Sequence, residues 1–240
     1  MSEFVFKQFT VKQQQSAMKI GTDSVLLGCL AEVEHAQQIL DIGTGTGLLA
    51  LMCAQRSSAT IDAVEIDEQA ATEAQFNFNA SKWNNRLNIH HQSLQNYTQT
   101  CKQLYDVIIS NPPYFVKHSN FSIDDEQRSK ARHDADLPLN DLAQYAYQLL
   151  KEDGSFWLIL PTQEAQLFAA YARESRLFLK QQIELLPKSN KPVNRVIQQW
   201  CKQETTIVKS NFVVYELNGE PTLAYKKIAH EFYIRKQFQL

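Results

Sequence analysis

Three alternating glycines, Gly43, Gly45 and Gly47, separate an apolar run from a helical one, and this arrangement restricts the fold more than any other feature. The run Ile39-Leu40-Asp41 reads as a buried strand, and Leu48 to Gln55 reads as a helix. The intervening Asp41-Ile42-Gly43-Thr44-Gly45-Thr46-Gly47 lets the backbone turn tightly and approach a ligand closely. The spacing is DxGxGxG, which differs from the dinucleotide-binding GxGxxG.

The alternation continues along the chain. Ile61 to Glu65 is expected as a strand, Glu68 to Ala80 as a helix, and Leu87 to His91 and Tyr105 to Ser110 as further strands. Asn140 is placed to cap a helix over Asp141 to Leu150, followed by a strand from Ser155 to Leu160. Near the start, Phe4 to Val11 alternates like a strand, and Thr22 or Asp23 is suited to cap a helix reaching about His35. Strand and helix in turn imply a mostly parallel sheet with helices on both faces. Beyond about Phe178 the pattern becomes consecutive strands, Gln182 to Leu186, Val193 to Trp200 and Thr205 to Tyr215, so the sheet is expected to end in an antiparallel hairpin.

Ligands of open α/β sheets bind at the carboxyl ends of strands. Asp41 to Gly47, Glu65 and Asn111-Pro112-Pro113-Tyr114 all fall at such ends. The last of these suits chemistry on a planar amino group. Such a nitrogen is a poor nucleophile because its lone pair is delocalised, and acceptors aimed at its protons draw it toward a tetrahedral, reactive geometry. The Asn111 side-chain oxygen is one candidate acceptor; the backbone carbonyl of Pro112, a residue with no N–H to donate, is the other. Tyr114 offers a flat face for a planar substrate, and Phe115 either extends it or belongs to the core.

The glycine loop with Glu65 resembles the S-adenosylmethionine site of the class I methyltransferases. The resemblance implies a Rossmann-like α/β fold with a mostly parallel seven-stranded sheet and an antiparallel C-terminal hairpin. It also implies cofactor contacts from Asp41, Gly43, Gly45, Gly47 and Asn111, with the Glu65 carboxylate accepting both ribose hydroxyls. In that family the end of the third strand often supplies an Asp to the cofactor adenine. Here His90-His91-Gln92-Ser93-Leu94 departs from that pattern, leaving Gln92 or Ser93 in its place, with His90 and His91 as strand-end residues.

Asn111-Pro112-Pro113-Tyr114 resembles the [DNS]-P-P-[YFW] motif of enzymes that methylate adenine, guanine or glutamine-amide nitrogen. Nearly the full length is similar to bacterial methyltransferases acting on the exocyclic amine of the adenine 3′ of the anticodon in a valine tRNA. The segments that carry this likeness are Phe6-Lys7-Gln8-Phe9, Met18-Lys19-Ile20-Gly21-Thr22-Asp23-Ser24, the glycine loop, Ser110 to Phe115, Ala131-Arg132-His133 and Phe232-Tyr233. By the same likeness Thr22 and Asp23 contact the cofactor. Residues 1–35 then form an extension that closes over it within one domain spanning 1–240. Asn111, Pro112 and Tyr114 are the implied catalytic residues.

A net charge of −2 and a pI near 6.3 exclude a uniformly basic nucleic-acid binder, so any RNA contact is local. Lys188, Lys191 and Arg195 lie in a basic stretch, Lys180 to Lys202, and are either phosphate contacts or solvated surface. Arg132 is expected to meet a phosphate, with an ion pair to neighbouring acids as the alternative. Cysteines at 29, 53, 101 and 201 show neither a CxxC pair nor zinc spacing, so no metal is expected and a reducing compartment fits. The Met1-Ser2-Glu3-Phe4 start and the lack of a long apolar run point to a cytoplasmic protein without a membrane partner. No obligate protein partner is evident, and tRNA is the expected substrate. The rival activities are glutamine-amide methylation on a protein and DNA or rRNA adenine methylation. Only about 35 residues precede the glycine-loop strand, which leaves little room for a protein-recognition domain.

Overall fold

A computed structural model describes residues 3–14, 19–113, 137–234 and 236–239. Its centre is an eight-stranded sheet. Two short strands, β1 (Glu3–Val5) and β2 (Thr10–Lys12), form a separate antiparallel pair ahead of it. The single strand expected over Phe4 to Val11 is therefore broken: Phe6 bridges to Tyr233, and the Phe6 and Phe9 rings stack at 4.7 Å in the turn. Helix α1 (Thr22–Leu30) is capped by extended Gly21 without a side-chain cap bond, so neither Thr22 nor Asp23 is the cap, and the helix stops before His35.

From there strand and helix alternate. β3 (Gln38–Ile42), α2 (Leu48–Arg56), β4 (Thr60–Glu65), α3 (Glu68–Ala80), β5 (Leu87–His91) and α4 (Leu94–Thr100) precede β6 (Tyr105–Ser110). The second half holds α5 (Leu139–Leu149), β7 (Leu150–Pro161), α6 (Thr162–Glu174), β8 (Phe178–Lys188), β9 (Arg195–Cys201), β10 (Val208–Tyr215) and α7 (Leu223–Ala229). Helix α5 follows Pro138 as its cap rather than Asn140. Its buried Leu142, Ala143, Ala146 and Leu149 make one apolar stripe, which is why it lies on the sheet.

The strands lie in the order β10-β8-β9-β7-β6-β3-β4-β5. Strands β5, β4, β3, β6 and β7 run parallel, and β9 lies antiparallel between β7 and β8. The expected terminal hairpin is the β8–β9 pair. The sheet exceeds the expected seven strands because β10 adds to the outer edge of β8, parallel to it. Period-two alternation splits the core between the faces. Ile39, Val107 and Ile109 pack with residues of α1, α2, α3 and α7, while Leu40, Ile42 and Ile108 pack with α4, α5 and α6. Each fully buried aliphatic side chain contributes about 1.5–3 kcal/mol, so both helical layers are held chiefly by this burial. Among the described residues no helix is long and apolar enough to cross a membrane.

Candidate active site

The chain steps outward from β3 to β4 to β5, then returns to the other side of β3 as β6, which opens a crevice at the carboxyl ends of β3 and β6. Pairing register fixes what meets there. Ile42 lies opposite both Val64 and Ser110, so Glu65, Gly43 and Asn111 come next on three neighbouring strand ends. With strands about 4.8 Å apart, these three residues span about 10 Å. The Ser110 hydroxyl donates to the Ile42 carbonyl at 2.9 Å and fastens the ends of β6 and β3 together.

The glycine loop is held from below. Asp41 is fully buried, and its Oδ2 accepts from the Thr44 hydroxyl at 2.5 Å and the Ala50 N–H at 3.1 Å. Its Oδ1 is buried without a hydrogen-bond partner among the described residues. Burial is the main cause that pushes the Asp41 carboxyl up to about 7; the Thr44 and Ala50 bonds oppose it, and the Glu65 charge adds to it. Gly43, Gly45 and Gly47 all have positive φ, at 67°, 57° and 84°. A Cβ on Gly43 or Gly45 would meet no atom within 4 Å, so the loop presents an open face of bare backbone. A Cβ on Gly47 would stand 2.5 Å from Cε1 of Phe78, so this glycine is required by packing.

Glu65 closes the other side of the loop. Its Oε2 accepts the Gly45 N–H at 2.8 Å, and its Oε1 accepts the N–H groups of Ile66 and Asp67, both at 2.9 Å. A carboxylate has about four lone-pair positions, and three are used here, which leaves room for one ribose hydroxyl rather than two while the loop keeps this form. The Gln92 N–H bonds the Glu65 carbonyl at 3.0 Å, which sets Gln92 beside this acid with its side-chain amide unbonded among the described residues. Ser93 instead uses its hydroxyl to cap α4, accepting from the Asn96 N–H. His90 pairs with Asp62 at 3.1 Å, away from the loop.

At the end of β6 the Asn111 Nδ2 donates to Ser24 Oγ at 2.8 Å. The other end of the amide, Oδ1, is buried and has no partner among the described residues. Pro112 is buried and Pro113 exposed. Tyr114, Phe115 and Arg132 lie outside the described residues. Thr22 and Asp23 are engaged with the outer strands: Thr22 Oγ1 lies 3.5 Å from the Tyr215 hydroxyl on β10, and Arg195 Nε on β9 donates to Asp23 Oδ2 at 2.9 Å. Arg195 pairs with Pro161, three residues beyond the level of Ser110 on β7, so it stands on the same rim as Asn111. Lys188 ends β8 at that edge and donates to the Leu217 carbonyl at 3.0 Å, and Lys191 is exposed in the following turn.

Two contributors escaped the reading of the sequence. Ser24 was legible only as part of a quoted segment, because its partner is 87 residues away. Asn77, 1% exposed on α3, donates to the Thr46 carbonyl at 2.8 Å and the Lys12 carbonyl at 3.0 Å, and accepts the Lys12 N–H at 2.8 Å. It therefore ties β2 to the glycine loop. An Asn within the apolar stripe Ala70, Ala74 and Phe78 is the signal that could have found it.

A model of the methyltransferase small domain matches residues 14–166, which contain the loop, Glu65 and Asn111. The chain belongs to the methyltransferase small domain family. Individual proteins are similar to it over nearly the whole length. The tRNA1(Val) (adenine(37)-N6)-methyltransferase of Haemophilus influenzae is 37% identical over 98% of this chain and 100% of its own. The protein of the same name from Bacteroides thetaiotaomicron is 40% identical over 96% and 97%. Solved structures share the fold at low identity. A predicted O-methyltransferase from Agrobacterium tumefaciens superposes with a TM-score of 0.67 at 17% identity, over 88% of this chain and 96% of that one. A methyltransferase from Pyrococcus furiosus gives 0.59 at 19%, over 81% and 89%.

Proposed function

We propose that this protein transfers a methyl group from S-adenosylmethionine to the N6 amine of the adenine 3′ of the anticodon in a valine tRNA. The observation that carries this reading is Asn111: one end of its amide is fixed on Ser24 and the other is a buried oxygen with no partner among the described residues, beside an open glycine loop. Near full-length likeness to the tRNA1(Val) (adenine(37)-N6)-methyltransferases supports the choice of substrate. A tRNA substrate in turn supports a cytoplasmic setting.

The residues present fit the cofactor. Gly43 and Gly45 offer backbone without side chains to its body, Glu65 has one lone pair left for a ribose hydroxyl among the described residues, and Gln92 follows β5 with its N–H on the Glu65 carbonyl. Thr22 and Asp23 border the same crevice, and the Asn77 bonds that join Lys12 of β2 to Thr46 of the glycine loop support the reading of the N-terminal segment as an extension on this side. S-adenosylmethionine supplies an electrophilic methyl group when bound. The chain then has to align the amine and stabilise the charge that develops on it. The Asn111 oxygen and the Pro112 carbonyl accept the two amine protons, and Tyr114, with Phe115 beside it, takes the face of an adenine turned out of its stack. Lys188, Lys191, Arg132 and Arg195 are assigned to the RNA, and contact by Arg195 trades against its bond to Asp23.

Replacement of Asn111 by Ala removes an acceptor used most strongly in the transition state. It is expected to lower kcat on tRNA by about 100-fold or more, with cofactor affinity little changed. Turnover near that of the unaltered protein would reject the assignment.

A further inference from the structure

We infer that Asn77 is a positioning residue for the cofactor site: through its amide the N-terminal segment sets the backbone of the glycine loop, so that seating of this segment and binding of S-adenosylmethionine favour each other. This rests on the reading of the glycine loop as the seat of the cofactor. Both ends of the amide are fixed, because each meets backbone groups of a single hydrogen-bonding character. Asn77 Oδ1 accepts the Lys12 N–H at 2.8 Å, and Nδ2 donates to the carbonyls of Lys12 at 3.0 Å and Thr46 at 2.8 Å. The side chain is buried, so losing any of these bonds leaves a polar group that water does not satisfy. Glu73, one turn earlier on the same face of α3 and also buried, accepts the N–H of Gln14. Two polar side chains of one helix thus grip the segment at Lys12 and Gln14, and Asn77 also reaches the loop.

The carbonyl that Asn77 holds is where the loop depends on an outside partner. Gly45 and Gly47, on either side of Thr46, have positive φ and a wide choice of backbone conformations. The N–H groups of Gly43 and Thr44 are held by the Val64 carbonyl, that of Gly45 by Glu65, and that of Gly47 by the Thr44 carbonyl. Those bonds come from β4 and from the loop itself. The Thr46 carbonyl is bound instead from α3, by the same NH2 group that holds Lys12. The peptide between Thr46 and Gly47 is therefore fixed at its N–H by Thr44 and at its oxygen by Asn77. Loss of the second bond leaves a buried carbonyl unpaired between two glycines, and the peptide plane is released from the form in which Gly43 and Gly45 present bare backbone. A ligand that requires this form binds better when the segment is seated, and by linkage it holds the segment in return. Asn77 touches no substrate in this assignment; it acts through the Thr46 peptide.

The experiment measures binding of S-adenosylhomocysteine, the demethylated cofactor, by calorimetry, and backbone amide exchange with and without it. It uses the full chain, Asn77→Ala, Glu73→Ala, the double variant Asn77→Ala/Glu73→Ala, and Glu65→Ala. Asn77→Ala is expected to raise Kd by about 10- to 100-fold, and in methyl transfer the loss falls on KM for S-adenosylmethionine rather than on kcat. In the unaltered protein the ligand slows exchange at the Lys12 and Gln14 amides. In Asn77→Ala that response to ligand disappears, whereas a purely structural role would lower protection equally with and without ligand. Glu73→Ala loosens the segment and raises Kd, but adds nothing once residue 77 is alanine. An unchanged Kd in Asn77→Ala, a loss confined to kcat, or equal losses from Glu73→Ala in both backgrounds would overturn the inference. So would exchange at Lys12 and Gln14 that ignores the ligand in the unaltered protein, a result that needs no variant to fold. If Glu65→Ala binds weakly and Asn77→Ala does not, the inference falls and the site stands. If Glu65→Ala binds as tightly as the unaltered protein, the reading of the site falls with it.

Discussion

Burial of Asp41, with one carboxyl oxygen bonded and the other without a partner among the described residues, makes the glycine loop a pH-dependent element of stability. The folded state holds this carboxyl near 7, whereas an unfolded aspartate titrates near 3.8. The folded state therefore keeps its proton longer, so this contribution is fully present below the unfolded value and is lost as pH rises through about 7. Asp41→Asn removes the titration. In urea melts at several pH values, the stability of this variant relative to the unaltered protein should rise between pH 5 and 8; a constant difference would show that Asp41 does not titrate as described. Asp62 is the opposite case. Burial alone would raise it, but bonds from His90, Tyr105 and Asn88 outweigh that and hold it below the usual range. The sequence offered Asp41, Glu65 and Asn111 through local motifs, since their neighbours in the chain create their geometry. It offered no sign that Glu65 spends three of its lone pairs on backbone N–H groups, because that follows from how the loop folds back on the strand end.

Elements are where local sequence was most readable and where packing overrode it. Glu68 to Ala80 was legible as a helix with the same limits, since Asp67 caps it by accepting the Ala70 N–H. The first helix was overrun at its end because nothing in the pattern from Ala31 to His35 marks where tertiary contacts stop supporting it; the chain turns extended at Ala31. The count of seven strands fell one short for a different reason. Thr205 to Tyr215 reads as a strand following two others, with nothing local to name its partner; β9 is already flanked by β7 and β8, so β10 pairs on the open side of β8. Gly47 tests the junction of loop and helix. A side chain there would carry positive φ and collide with Phe78, so Gly47→Ala should cost about 2–4 kcal/mol in urea unfolding. A change below about 0.5 kcal/mol, the range of neutral surface substitutions, would mean that the Gly47–Phe78 packing is not as described.

At the scale of the molecule, the order of strands gathers residues far apart in the chain into one crevice: Gly43, Glu65 and Asn111 at the ends of the inner strands, Ser24 of α1 bonded to Asn111, and Arg195 and Lys188 along the same rim. The family resemblance made this crevice foreseeable; the joining of the α1 turn to three different strands was not, because no spacing in the sequence encodes it. With a net charge of −2, the proposed RNA contact calls for a local basic patch, and the proposal assigns it to that rim and to the shape of a base presented out of its stack. The most direct measurement is transfer of labelled methyl from S-adenosylmethionine to tRNA, DNA and protein offered in parallel, followed by digestion of the labelled product. Label recovered as N6-methyladenine from the anticodon loop of a valine tRNA is the expected result. Label in glutamine of a protein, in DNA, or in another tRNA nucleoside would contradict it.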